Sequence, residues 1–169
     1  MKTEFATRDT LIDYVRTEFQ ISSDRCLHVS PTVGGRRAAV QALSTINPAT
    51  DAKSRNRLDG AVTRLSPYIR HGILQLAEVR DRALAVVRNP QKASKLISEL
   101  GWRDYFQRVY RAMGEDIWTD LEPYKTGFAA ESYAADLPAD LLRAETGEPA
   151  IDGFVRELYE TGYLHNHAR

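Results

Sequence analysis

Asn89-Pro90 opens and Gly114 closes the longest helix that the sequence predicts, a run reaching Met113, and this run limits the fold more than any other feature. Proline presets the backbone at a helix start, and glycine provides its stop. Gly101 inside the run either weakens the helix or marks a close packing point. The elements around it are helical too. Asp9 to Phe19 sets Leu11, Ile12, Val15 and Phe19 on one face, with Asp9 as the expected cap. Arg36 to Ile46 is a second helix stopped by Asn47-Pro48. Ser66-Pro67 starts a short helix, with Ser66 as cap, that ends near His71-Gly72, and Ala77 to Arg88 forms another. Leu137-Pro138 to about Glu145 is read as a short helix and Thr146 to Pro149 as a turn. Ala150 to Thr161 is a helix with Ile151, Phe154, Val155 and Leu158 on its core face, ended by Gly162. Residues 21–35 read as a loop, and the acidic stretch from Glu115 to Asp136 as turn-rich surface chain. With no strand pattern, repeat or low-complexity linker, the fold class is all-α with irregular connections.

A length of 169 residues suits one domain, and 43% hydrophobic residues describe a globular chain. No apolar run reaches the roughly 18 residues of a spanning helix, and Glu4 and Asp9 interrupt any secretory signal, so no membrane partner and a cytoplasmic location are expected. The lone Cys26 is read as a buried or inert thiol. The net charge of zero conceals a split. Residues 53–113 hold thirteen Lys/Arg against five Asp/Glu, and residues 114–160 hold three against twelve. The basic segment offers a local phosphate-binding surface, unless the two stretches are simply solvated faces that attract each other.

Three segments carry candidate chemistry. Thr63-Arg64-Leu65-Ser66-Pro67-Tyr68-Ile69-Arg70-His71-Gly72 gathers two hydroxyls and two arginines at a helix start, a composition that suits phosphate as well as an ordinary cap. In Glu99-Leu100-Gly101-Trp102-Arg103-Asp104-Tyr105-Phe106, helical spacing raises Glu99, Trp102, Arg103 and Phe106 on one face. Such a face can stack on a base and hydrogen-bond its edge, or it can be a surface salt bridge beside core aromatics. The third segment is Gly162-Tyr163-Leu164-His165-Asn166-His167-Ala168-Arg169. Its two histidines lack a third ligand, so no metal is expected. No nucleophile signature appears, and catalytic residues stay unknown at this stage.

Taken together and in order, these segments resemble the flavin-binding helical domain of the photolyase and cryptochrome family. Arg55-Asn56, then Leu58-Asp59-Gly60, then TRLSPYIRHG resemble the family's phosphate-side FAD segment. ELGWRDYF resembles its lesion-side helix, and TGEPAIDGFVRELYETGYLHNHAR its Thr-Gly-x-Pro to His-Asn-x-x-Arg segment. The resemblance covers about residues 36–169. It implies an FAD-containing deoxyribodipyrimidine photo-lyase, a carbon-carbon lyase of DNA repair, whose partner is DNA carrying pyrimidine dimers extruded into the flavin cavity. It also implies that Thr63, Arg64, Leu65 and Ser66 contact FAD, that Glu99, Trp102 and Arg103 line the lesion side, that Asn166 serves both, and that Arg169 neighbours the flavin ring.

The chain departs from the family pattern where Thr50-Asp51-Ala52-Lys53-Ser54 holds no aromatic residue before Arg55, and where Val62 precedes Thr63. Residues 1–169 are expected to form a single partial FAD-binding domain, with no antenna chromophore and with a flavin cage incomplete after Arg169. Flavin binding is therefore expected to be weak or lost, and uncovered apolar helix faces are expected to self-associate. Two alternatives to a repair enzyme stay open: a truncated non-enzymatic remnant of the flavin domain, and a helical DNA-binding module without flavin.

Overall fold

The computed structural model describes residues 2–19, 30–57 and 59–165. No strand occurs among them, as the all-α reading requires. The chain divides into two compact units, one formed by residues 1–32 with 134–169 and the other by Val33–Tyr133. Cys26 lies outside the described residues.

In the first unit, α1 (Arg8–Glu18) is capped by Thr7 rather than by Asp9. The Thr7 hydroxyl accepts from the Thr10 N–H at 3.3 Å, while the Thr7 N–H donates to the Thr10 hydroxyl at 3.2 Å. This reciprocal pair satisfies two helix-end donors, and Asp9 falls in the first turn, where its charge favours the helix dipole. Near the other end of the chain, α7 (Ala139–Leu142) packs on α8 (Pro149–Thr161). The start of α8 is tied down by Asp152, whose Oδ1 accepts from both the N–H and the hydroxyl of Thr146, at 2.9 and 2.7 Å. The Thr146 hydroxyl is the largest influence holding the Asp152 carboxyl below its ordinary value. Arg156 donates to the Ala144 carbonyl and the Tyr159 hydroxyl to that of Leu142, so α8 supplies the donors for the α7 end. Gly162, at φ +68°, closes α8 in the left-handed conformation that glycine adopts without a Cβ penalty.

The second unit carries α2 (Arg36–Ser44), α3 (Pro48–Ser54), α4 (Ser66–Arg70), α5 (Leu76–Ala85) and α6 (Ser94–Met113). The expected long helix begins as a short 3-10 turn over Pro90–Ala93, and α6 proper starts at Ser94. The sequence reading missed α3. Asn47-Pro48 does stop α2, but it also restarts the chain, because the Asn47 side chain accepts from Thr50 N at 3.1 Å and Pro48 fits the first turn. The core comprises Ala39, Ile46, Leu65, Tyr68, Leu74, Val79, Ala83, Ala93, Leu96 and Leu100. Both α3 and α5 pack on α6. Fully burying one large apolar side chain stabilises a fold by about 1.5–3 kcal/mol, so Leu65, Leu74 and Val79 set the scale of this unit's stability. Beyond Leu100 the burial ends: every residue from Gly101 to Tyr133 is exposed or half-buried.

Arg36 links the starts of α2 and α5. Its guanidinium pairs with Glu78 through both nitrogens and donates to the Ile73 carbonyl at 2.8 Å, while Gln75 N donates to Glu78 Oε2 at 2.8 Å. The Arg36 hydrogen bond is the main cause that lowers the Glu78 carboxyl to about 2. A carboxyl held low in the folded state stabilises it fully above the unfolded value near 4.5, and that stability is lost as pH falls through about 2. Glu78→Gln should therefore lower the melting temperature at neutral pH, with the gap to the parent chain closing as pH drops from 4.5 towards 2. Leu65→Ala should cost about 2–5 kcal/mol in urea unfolding, because the side chain is fully enclosed.

Candidate functional site

The approach to α4 is a tightly folded turn. Ser54 at the end of α3 donates its hydroxyl to Thr50 O and accepts from Ala61 N, both at 3.0 Å, which draws the chain back over the end of α3. Gly60 sits where only glycine fits. A Cβ there would lie 1.7 Å from the Ser54 carbonyl oxygen and 2.6 Å from its carbon, both backbone atoms that cannot step aside. Beyond Gly60, Arg64 takes φ +50°, a left-handed conformation that an arginine adopts at a cost. That twist drives Leu65 into the core and leaves Arg64 on the surface. The sequence suggested that Ser66 would cap α4. Instead Leu65 occupies the cap position, Ser66 is the first helical residue, and no side chain caps the helix. Among the described residues the hydroxyls of Thr63 and Ser66 make no side-chain hydrogen bond, and both residues are half-buried. Two available hydroxyls beside an exposed guanidinium form a donor set suited to a diphosphate.

The second cluster lies on α6. Leu96 and Leu100, one helical turn apart, face the core, which places Trp102, Tyr105 and Phe106 outside. The three rings form one cluster. Trp102 stacks on Phe106 at 5.9 Å between centroids and meets Tyr105 edge-on at 5.7 Å, and Trp102 remains 55% exposed. The bland alternative of core aromatics fails, since an exposed trio of rings gains nothing from burial and offers a stacking platform. Arg103, Phe106, Gln107, Tyr110 and Arg111 line a shallow groove of about 660 Å³ alongside. The i,i+4 pairing of Glu99 with Arg103 does not form. Glu99 Oε1 lies instead 3.2 Å from Lys95 Nζ and 3.4 Å from Arg55 Nη1.

Arg55 also approaches Asp51 Oδ1 at 3.7 Å, so α3 and α6 are joined by a chain of charges running Asp51, Arg55, Glu99, Lys95. Burial is the main influence raising the Asp51 carboxyl above its usual range, opposed by the positive charges of Arg55 and Lys95. Sequence reasoning misses Asp51 and takes Arg55 only as part of the segment that resembles the family's phosphate-side FAD segment, not as a partner of Glu99. The available signal is their i,i+4 spacing just after Asn47-Pro48, a dipeptide that reads locally as a helix stop.

Of the residues singled out from sequence, Thr63, Arg64, Leu65, Ser66, Glu99, Trp102 and Arg103 all fall within the Val33–Tyr133 unit. Leu65 and Leu100, the apolar members of the two motifs, belong to the same buried cluster. Asn166 and Arg169 lie outside the described residues. Thr146, Gly147, Pro149 and Asp152 of the third motif are accounted for as a helix-starting device. Among the described residues no group of His, Cys, Asp and Glu is arranged to hold a metal, and no helix is long and apolar enough to cross a membrane.

Residues 96–169 match the family described as the FAD binding domain of DNA photolyase. A deoxyribodipyrimidine photo-lyase of Thermus thermophilus is 37% identical over 125 residues, which cover 70% of this chain and 28% of the relative. One from Alkalihalophilus pseudofirmus is 31% identical over 110 residues, covering 63% of this chain and 22% of the relative. A cryptochrome DASH of Danio rerio is 28% identical over 160 residues, covering 86% of this chain and 30% of the relative. The chain thus spans less than a third of the length of these relatives.

Gly60→Ala should destabilise the chain at or above the upper end of the roughly 1–3 kcal/mol typical of overpacking, measured by urea unfolding. Gly153→Ala, where a Cβ meets open space, serves as the control and should be neutral or slightly stabilising.

Proposed function

Because the chain belongs to the photolyase and cryptochrome family through its FAD-binding helical part, we propose that it binds FAD and takes part in the light-driven repair of pyrimidine dimers in DNA. The observation that carries the reading is the shared core. Leu65 behind the Thr63–Ser66 turn and Leu100 beside Glu99 are buried in one cluster, so a cofactor-side donor set and a base-stacking face are supported by the same packing.

The turn fits an anionic cofactor. In this reading Thr63 and Ser66 donate hydroxyl hydrogen bonds to the FAD diphosphate, and the Arg64 guanidinium balances its charge. Leu65 acts through burial, holding the left-handed Arg64 outward. The chemistry supplied when FAD is bound is light-driven donation of one electron to the dimer, which splits the cyclobutane ring and returns the electron. The chain's own task is placement. Trp102 offers a face on which an extruded pyrimidine stacks, Glu99 accepts from a base-edge N–H, and Arg103 meets DNA phosphate. The excess of Lys and Arg in residues 53–113 favours the approach of DNA to this segment.

The exposed ring cluster on a basic helix favours a second reading, a helical DNA-binding module that takes no flavin. Titration separates the two. FAD added in excess to the chain should bind weakly, with the flavin bands resolved, ADP should compete, and riboflavin, which lacks phosphate, should not. Arg64→Gln should weaken FAD binding about tenfold, the scale of one charge-assisted hydrogen bond. Absence of any flavin binding, with salt-dependent DNA binding retained, would establish the second reading and reject the first. Where flavin binds, dimer-containing oligonucleotide should be lost under blue light and persist in the dark.

A further inference from the structure

Past Leu100, α6 leaves the core behind. Residues 101–113 run on for about 20 Å, at 1.5 Å per residue, without one buried side chain. Trp102, Phe106, Val109 and Met113 recur there at intervals of four, three and four, so they line one stripe with the spacing by which helix packs along helix. The charges beside the stripe are lopsided. Asp104 is taken up by Arg108 at 2.8 Å, whereas Arg103 and Arg111, which border the shallow groove, make no ion pair among the described residues.

Residues 114–133, which follow in the same unit, have the opposite character. They hold five acids and one lysine, and that lysine, Lys125, pairs within the segment with Glu122 at 3.8 Å. Glu115 and Asp116, in the 3-10 turn Gly114–Trp118, make no ion pair among the described residues. Trp118 is 78% exposed and Leu121 84%, so this acidic arm does not settle its apolar side chains into the groove of its own α6. Opposite charges and uncovered apolar surface thus lie side by side in one unit without meeting.

We propose that a second copy of this chain is the occupant: the unburied halves of two α6 helices pair antiparallel along the Trp102 to Met113 stripe, and the acidic turn of each copy lies against Arg103 of the partner subunit. The charges select the antiparallel arrangement. It sets the end of each α6 beside the start of the other's unburied half, where Glu115 and Asp116 meet a guanidinium, whereas a parallel pair would set arginine against arginine and acid against acid. The contact is two-fold and self-complementary, so it closes at two copies. The other uncovered apolar surface, a groove of about 450 Å³ lined by residues including Leu141, Phe154 and Leu158, lacks such complementarity. Residues 134–160 around it hold seven acids and two arginines, and both arginines are already paired, Arg143 with Glu145 and Arg156 with Asp152. Two copies of that groove would repel. The α6 pairing goes beyond the flavin and DNA reading and does not rest on it. Because Trp102 and Arg103 enter both, a copy engaged in the pair cannot offer them to DNA at the same time.

The test is sedimentation velocity of the full chain, without flavin or nucleic acid, across protein concentration at low salt. The mass should rise from one chain to two and stop there, and added salt should weaken pairing by screening the exposed charges. Val109→Glu, in the stripe, should abolish pairing. Arg103→Glu, and separately Glu115→Lys with Asp116→Lys, should each weaken it at least about tenfold, because like charges then face each other. An equimolar mixture of these two charge variants should pair with nearly the parent affinity, since one end of the mixed pair is native and the other is reversed. That recovery requires folded variants, so it separates a lost contact from a lost fold. Ile151→Ser, in the α7–α8 groove, should leave pairing unchanged. A chain that stays monomeric up to about 1 mM, a mass that grows past two copies, or a mixture no tighter than its components would overturn the proposal. Pairing lost in Ile151→Ser but kept in Val109→Glu would also overturn it and move the contact to the α7–α8 groove.

Discussion

The burial of Leu65 is the constraint on which the candidate site depends. Leu65 is fully enclosed between an exposed Arg64 in the left-handed conformation and a half-buried Ser66, and it holds the cap position that Ser66 would otherwise fill. A hydroxyl released from capping is a hydroxyl available to a ligand. The same cluster encloses Leu96 and Leu100, which fixes the rotation of α6 about its axis and thereby aims Trp102, Tyr105 and Phe106 at solvent. One apolar cluster therefore decides which polar and aromatic groups reach the surface on both motifs.

Electrostatics refine what packing sets. Arg36 with Glu78 fastens the starts of α2 and α5, and Arg55 with Asp51 and Glu99 links α3 to α6. The first is a bidentate pair between two helix starts whose stabilisation is present above about pH 4.5 and lost as pH falls towards 2. The second is only partly solvated, so its geometry bears on how α3 and α6 are held together.

Much of this is legible in the sequence, and the misses have physical reasons. Proline and glycine punctuation places α6 between Asn89-Pro90 and Gly114 and yields the all-α class. The same punctuation misleads at Asn47-Pro48, because a proline that ends one helix is equally suited to begin the next. Helical spacing puts Trp102 beside Phe106, as their ring contact bears out, yet it suggests Arg103 as the partner of Glu99. A contact from α3 wins, since pairing across elements leaves no trace in local periodicity. The glycine at position 60 appears in the sequence only as part of a family-like segment, whereas the structure gives its cause in the approach of the Ser54 backbone.

The proposed diphosphate-binding turn and base-stacking helix face are tested together, and most directly, by backbone amide chemical-shift mapping on the full chain. Addition of FAD should perturb amides centred on Thr63 to Ser66, and addition of a dimer-containing oligonucleotide should perturb those centred on Glu99 to Arg103. Perturbations confined to other parts of the chain, or none with either ligand, would contradict this assignment.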